Sequence, residues 1–167
     1  MTDIIVSDTS VLINFLNIDR LDLLGKCSLR CFVTNHVREE VIDNFSDQFQ
    51  RFQRGLDQQI IQEINVCDPS EIELFSTLSQ KGRLGVGECS AISVAIHRKF
   101  SLAIDDNLAI KSARSLSPHL SILRTQDIMV KMIQEGVLKI SEADAILQDW
   151  GDNYRFKLKF STFKDLV

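Results

Sequence analysis

Two short apolar runs in this chain end in carboxylates, and that pattern limits what it can fold into. Residues 4–6, Ile-Ile-Val, stop at Ser7-Asp8, and Ser101-Leu102-Ala103-Ile104 stops at Asp105-Asp106. After each stop, apolar residues return at helical spacing: Val11, Leu12, Phe15 and Leu16 in one case, Leu108, Ile110 and Ala113 in the other. A short unbroken apolar run reads as a strand buried on both faces, and a change to a 3.6-residue period reads as an amphipathic helix. A strand leading straight into a helix is half of a crossover between parallel strands.

The rest of the chain repeats the module. Residues 29–34 predict a second strand, and Asn35 is placed to cap a helix from His36 to Phe45. Residues 46–62 carry Phe45, Phe49, Phe52 and Leu56 at helical spacing, and Ile64 to Cys67 predicts a third strand. Pro69-Ser70 opens a further helix with Glu71 and Glu73 in its first turn. Gly82, Gly85 and Gly87 mark a loop before a helix that begins at Glu88 and ends near His97-Arg98-Lys99. Ser121-Ile122-Leu123 predicts a last strand, followed by helices near 126–135 and 142–149, the latter opened by Ser141-Glu142-Ala143-Asp144 as a capping box. The expected architecture is α/β: three layers, with a mainly parallel central sheet flanked by helices.

Size and composition agree with one domain. The chain has 167 residues, 44% of them hydrophobic, with two prolines and seven glycines. That is enough apolar content for a core and too little Pro and Gly for a low-complexity linker. No apolar run reaches the roughly 18 residues of a membrane span, and the first residues lack the basic and apolar pattern of a signal peptide, so a cytoplasmic chain without membrane contact is expected. Cys27, Cys31, Cys67 and Cys89 are then expected as reduced thiols; Cys27, Cys31 and His36 lack the second tight pair of a zinc cluster. A formal net charge of −4 argues against a simple electrostatic binder of nucleic acid.

The positions of the acids carry the chemistry. In open parallel sheets ligands bind outside the carboxyl ends of the strands. Asp8 and the pair Asp105 and Asp106 would meet there, with Glu88 at a helix start and Glu40 on an early helix able to join them. Taken singly each has a plain reading: strand-end Asp residues cap helices, and helix Glu residues are mostly solvated. Clustered carboxylates repel, and a hard divalent cation such as Mg²⁺ or Mn²⁺ removes that cost. Hydrolysis of phosphodiesters is the natural chemistry of such a centre. On this reading much of the acidity sits in one pocket, and setting those five acids aside leaves the remainder near charge balance.

In order along the chain, Ile5-Val6-Ser7-Asp8-Thr9-Ser10-Val11-Leu12-Ile13, Val37-Arg38-Glu39-Glu40-Val41, Gly85-Val86-Gly87-Glu88-Cys89-Ser90-Ala91-Ile92 and Leu102-Ala103-Ile104-Asp105-Asp106 resemble the PIN-domain family of ribonucleases, whose best-known members are toxins of VapC type. The resemblance covers about residues 3–125. Residues 126–167 look like the helical and extended C-terminal extension of an uncharacterised prokaryotic branch, within a single PIN-like domain of residues 1–167. It implies that Asp8, Glu88 and Asp106 bind Mg²⁺ or Mn²⁺, that Glu40 completes the pocket, and that Ser10 orients Asp8. Asp105 and Asp106 both stand as catalytic candidates because Ile104 replaces the Thr or Ser often found before the last acids. Glu88 stands where many of the toxins have Asp. The implied activity is metal-dependent endoribonuclease cleavage, with RNA as substrate, an antitoxin protein as partner and a homodimer as assembly.

Arg83, Lys111 and Arg114 are the candidate RNA contacts near the acids. The segment Tyr154-Arg155-Phe156-Lys157-Leu158-Lys159-Phe160 alternates apolar and basic residues, as a strand or extended segment with one docked and one cationic face. The rival class is a PIN-like RNA- or protein-binding module without catalysis, which the four filled acidic positions argue against. A receiver-type protein would need a phosphoacceptor Asp in mid-chain and a Lys after a late strand, and neither is evident in this chain.

Overall fold

The structure is a computed structural model and describes residues 2–167. Five strands, β1 (Asp3–Ser7), β2 (Leu29–Thr34), β3 (Ile61–Ile64), β4 (Ser101–Ala103) and β5 (Ile122–Leu123), form one sheet in the order β3-β2-β1-β4-β5. Every pairing is parallel. Helices cover both faces: α1 (Thr9–Asn17), α2 (Asp22–Lys26), α3 (Asn35–Asn44), α4 (Phe49–Asp57), α5 (Pro69–Gln80), α6 (Val86–Arg98), α7 (Asn107–Leu116), α8 (Thr125–Gln134) and α9 (Ile140–Asn153). This is the expected three-layer α/β arrangement, with a wholly rather than mainly parallel sheet.

The chain winds outward from β1 to β3 and then returns to the other side of β1 as β4. The reversal leaves a crevice between the carboxyl ends of β1 and β4, where sheets of this kind bind ligands. Register brings the acids to it: Ser7 lies beside Ala103, and the Asp8 amide donates to the Ala103 carbonyl at 2.9 Å, one step beyond the ladder.

The sheet separates two apolar clusters. One joins Phe15, Leu16, Phe52, Met129, Met132 and Trp150; the other joins Val6, Ile92, Leu102, Ile104 and Ala109. The first cluster ties the C-terminal helices to the site. Trp150 is fully buried, meets Phe15 edge-on at 5.9 Å and donates its indole N–H to the Asn14 carbonyl at 2.7 Å.

Local chemistry moves several expected boundaries. β3 is Ile61–Ile64, not Ile64 to Cys67, because α4 ends at Asp57 and Gln59 turns the chain at a φ of 57°. This frees Ile61 to fill the core, where it is fully buried. Thr34, not Asn35, caps α3: its Oγ1 accepts from the Val37 amide at 3.2 Å. α6 begins at Val86, two residues before Glu88, and α9 begins at Ile140, with Glu142 accepting from the Lys139 amide instead of a box opened by Ser141. The aromatic stripe breaks at Phe45, which ends α3 and is partly exposed, while Phe52 is fully buried. The short helix α2 had no periodic signal in the sequence.

Residues 154–160 pair with no strand. They run extended across the surface with Phe156, Leu158 and Phe160 half-buried and Arg155, Lys157 and Lys159 exposed, so the alternation is a docked segment rather than a ladder. Among the described residues no helix is long and apolar enough to cross a membrane. All four cysteines are free thiols; Cys27, Cys31 and Cys89 are buried and Cys67 is exposed.

Candidate active site

Asp8 is the most constrained acid. It is the N-cap of α1 and is only 2% exposed. The Ser10 hydroxyl donates to its Oδ2 at 2.6 Å, and the Ser10 amide approaches the same oxygen at 3.4 Å. Burial pushes the Asp8 pKa from 3.8 to about 6, with the Glu40 carboxylate adding repulsion and the Ser10 and Thr9 hydrogen bonds opposing the rise.

Glu40 reaches the pocket from α3. Its Oε2 accepts from the Thr9 hydroxyl at 2.6 Å and its Oε1 from the Gly87 amide at 2.7 Å, so one carboxylate joins α1, α3 and the start of α6. Glu39 next to it is exposed. A β-carbon on Gly87 would lie 2.6 Å from Glu40 Oε2, so only glycine lets the backbone come this close.

Glu88 sits in the first turn of α6. Its Oε2 accepts from the Gly85 amide at 3.0 Å. Its pKa is pushed up to about 7, first by burial, then by the carboxylates of Asp8, Asp106 and Glu40, against the Gly85 hydrogen bond. Four acids from four separate segments therefore feel one another across the crevice.

The Asp105-Asp106 pair divides its work. Asp105 Oδ2 accepts from the Thr125 hydroxyl at 2.6 Å and from Asn14 Nδ2 at 3.3 Å, and Oδ1 accepts from the Thr125 amide at 2.9 Å. Three donors hold it against α1 and α8. Asp106 caps α7, its Oδ1 accepting from the Ala109 amide at 2.8 Å, and acts on Glu88. Thr9, Asn14, Gly87, Arg124 and Thr125 escaped sequence reasoning. Gly87 carried a signal in its place one residue before Glu88, whereas Asn14 and Thr125 look like ordinary helix polar residues until the fold sets them beside Asp105.

Lys111 and Arg114 are exposed on α7. Arg83 lines a separate groove of about 210 Å³ between the α5–α6 connection and α7, with Lys81 and Leu116.

The donors are all carboxylate or hydroxyl oxygens, the chemistry that a hard dication takes. The raised pKa values of Asp8 and Glu88 come first from burial of the carboxylates and then from their mutual repulsion, and a positive charge in the pocket would offset both. Among the described residues no three His, Cys, Asp or Glu side chains already stand as a metal cage. Glu40 and Glu88 are instead turned onto backbone amides. The donor chemistry thus fits a dication, and the side-chain positions are those of separated carboxylates.

Comparison with known proteins gives a family. The family described as DUF3368: PIN domain matches residues 4–164. No curated protein matches. Among solved structures, VapBC2 from Rickettsia felis bound to a DNA fragment from their promoter is similar at 19% identity and a TM-score of 0.48, over 72% of this chain and 98% of that one. A toxin–antitoxin complex from Klebsiella pneumoniae is similar at 15% identity and a TM-score of 0.49, over 72% and 96%.

Proposed function

The chain belongs to the PIN domain family DUF3368, and from that premise we propose that it is a metal-dependent endoribonuclease hydrolysing RNA phosphodiester bonds. One observation carries the reading. Asp8, Glu40, Glu88 and Asp106 converge on the β1–β4 crevice, and two of them are held with pKa values of about 6 and 7. A fold-stabilising role alone gives no reason to gather four mutually repelling carboxylates.

Asp8, Glu88 and Asp106 would hold Mg²⁺ or Mn²⁺. Bound there, the ion supplies Lewis acidity and positive charge at a phosphate oxygen. Ser10 fixes the Asp8 carboxylate, and the Asp8 cap in turn fixes the start of α1. Glu40, gripped by Thr9 and Gly87, holds α3 and α6 around the pocket. Glu88 and Asp106 are each tied by a single backbone amide, which leaves one oxygen of each carboxylate for the ion. Asp105 keeps the β4–α7 turn against α1 and α8 and so positions Asp106.

Purified protein incubated with mixed RNA and Mg²⁺, Mn²⁺ or EDTA tests the reading. Cleavage is expected only with metal, and Asp8→Asn and Asp106→Asn are expected to be inert. Cleavage that survives EDTA and both substitutions refutes it. Mn²⁺ that leaves the melting temperature unchanged favours a binding module instead. A toxin role, with an antitoxin partner and a homodimer, rests on the family alone. It predicts growth arrest on expression that Asp8→Asn relieves.

A further inference from the structure

A cluster of carboxylates repels a polyanionic substrate, so cations must hold the chain on either side of the scissile phosphate. Residues 156–160 are anchored at both ends. Arg155 turns the chain out of α9 at a φ of 56°, the Phe156 amide donates to the Trp150 carbonyl at 3.1 Å, and the Phe156 ring meets Trp150 edge-on at 5.3 Å. At the other end Asp144 accepts from the Thr162 hydroxyl and the Phe163 amide, both at 2.8 Å.

Between these anchors the segment forms one wall of a cleft of about 470 Å³, with Lys157, Lys159 and Phe160 along it. The opposite wall is Asp105, Asn107 and Arg124. Arg124 donates to the Asp105 carbonyl at 3.1 Å and also binds the Asn107 side chain, so this wall is continuous with the turn that carries Asp106. Lys157 and Lys159 are exposed, and among the described residues neither has an ion-pair partner. The cleft is of the size that takes a small ligand, and it combines unpaired cations with an aromatic ring, the pairing that suits single-stranded nucleic acid.

We propose that the cleft between residues 156–160 and the N-terminal ends of α7 and α8 is a subsite for the sugar–phosphate backbone of single-stranded RNA next to the acidic pocket, with Lys157 and Lys159 on its phosphates. The proposal rests on the nuclease reading for its place in the reaction, but binding can be measured without cleavage. A fluorescein-labelled single-stranded RNA of about 12 nucleotides is titrated with the full-length chain in EDTA, across a range of salt. The Lys157→Gln/Lys159→Gln variant is expected to bind about tenfold or more weakly, and its log K against log salt slope to be shallower by about 1.4, the loss of two phosphate contacts. Its melting temperature stays at the wild-type value because both side chains are exposed.

An unchanged affinity and slope overturn the proposal, as does a wild-type chain that fails to bind the RNA. Lysine-dependent binding of a polyglutamate peptide, with RNA binding unaffected, also overturns it and assigns the cleft to an acidic protein segment. Cleavage of the same RNA with Mn²⁺ separates the two readings. Cleavage with no lysine effect on binding removes the subsite and keeps the nuclease; lysine-dependent binding without any cleavage keeps the subsite and removes the nuclease.

Discussion

Asp8→Asn should make the protein more stable at neutral pH while it abolishes activity. Folding takes the Asp8 carboxyl from its ordinary 3.8 to about 6. The favourable contribution of this group is therefore fully present below pH 3.8 and is lost as the pH climbs through about 6. A rise of about two units, at 1.36 kcal/mol each, makes the ionised carboxylate about 3 kcal/mol unfavourable above pH 6. Full weight is justified because Asp8 is only 2% exposed. Asparagine keeps the N-cap, since its side-chain oxygen can accept from the Ser10 amide and hydroxyl as the carboxylate does. A neutral acceptor in place of a charged one forfeits part of those hydrogen bonds, so the net gain is about 2–3 kcal/mol at pH 8. For a chain of this size that raises the melting temperature by about 4–12 °C. The assay is thermal or urea unfolding of both proteins in EDTA from pH 4 to 8. The stability difference should be near zero at pH 4, open through pH 5 to 6 and level off above. Mn²⁺ should then narrow it by stabilising the wild type alone. A variant less stable than wild type at pH 8, or a difference independent of pH, refutes the claim that Asp8 is held against a desolvation penalty.

Gly87→Ala puts a methyl 2.6 Å from Glu40 Oε2 and 2.9 Å from its Cδ, so Glu40 must leave the Gly87 amide; a loss of about 1–3 kcal/mol in urea unfolding and weakened Mn²⁺ binding by calorimetry are expected. Thr125→Val removes the hydroxyl that donates to Asp105 and accepts from Asn14, with an expected cost of about 1–3 kcal/mol by the same unfolding assay. Glu71 is buried, and Arg98 beside it holds its carboxyl below the usual range. Its contribution is present above about pH 4.5 and is lost as the pH falls further, so Glu71→Gln should cost about 3 kcal/mol at pH 7 and much less in acid.

Much of this was legible in the chain. Apolar runs that change to helical spacing just after an acid, at Asp8 and again at Asp105-Asp106, are local signals because burial and capping act over a few residues. They announced an α/β fold with a parallel sheet and placed carboxylates at strand ends. Boundaries were less legible where capping chemistry competed: Thr34 outdid Asn35 at α3, and Glu142 served Lys139 at α9. The β3 strand slipped because the sequence could not show where α4 gives way to the turn at Gln59.

What depended on residues far apart had to wait for the tertiary structure. Asp105 and Asp106 are identical as side chains and adjacent in sequence. Asp105 is claimed by Thr125 and Asn14, 20 and 91 positions away, while Asp106 is left to face Glu88. The basic alternation of residues 155–159 was visible from the start, but only the anchors at Trp150 and Asp144 set its lysines beside the Asp105 turn. Sequence alone determines which groups are charged and which local elements form, since both follow from side-chain chemistry and near-neighbour sterics. Which charges meet, and so which pKa values move and which lysines border the Asp105 turn, follows from register and packing between segments, and that the tertiary structure decided.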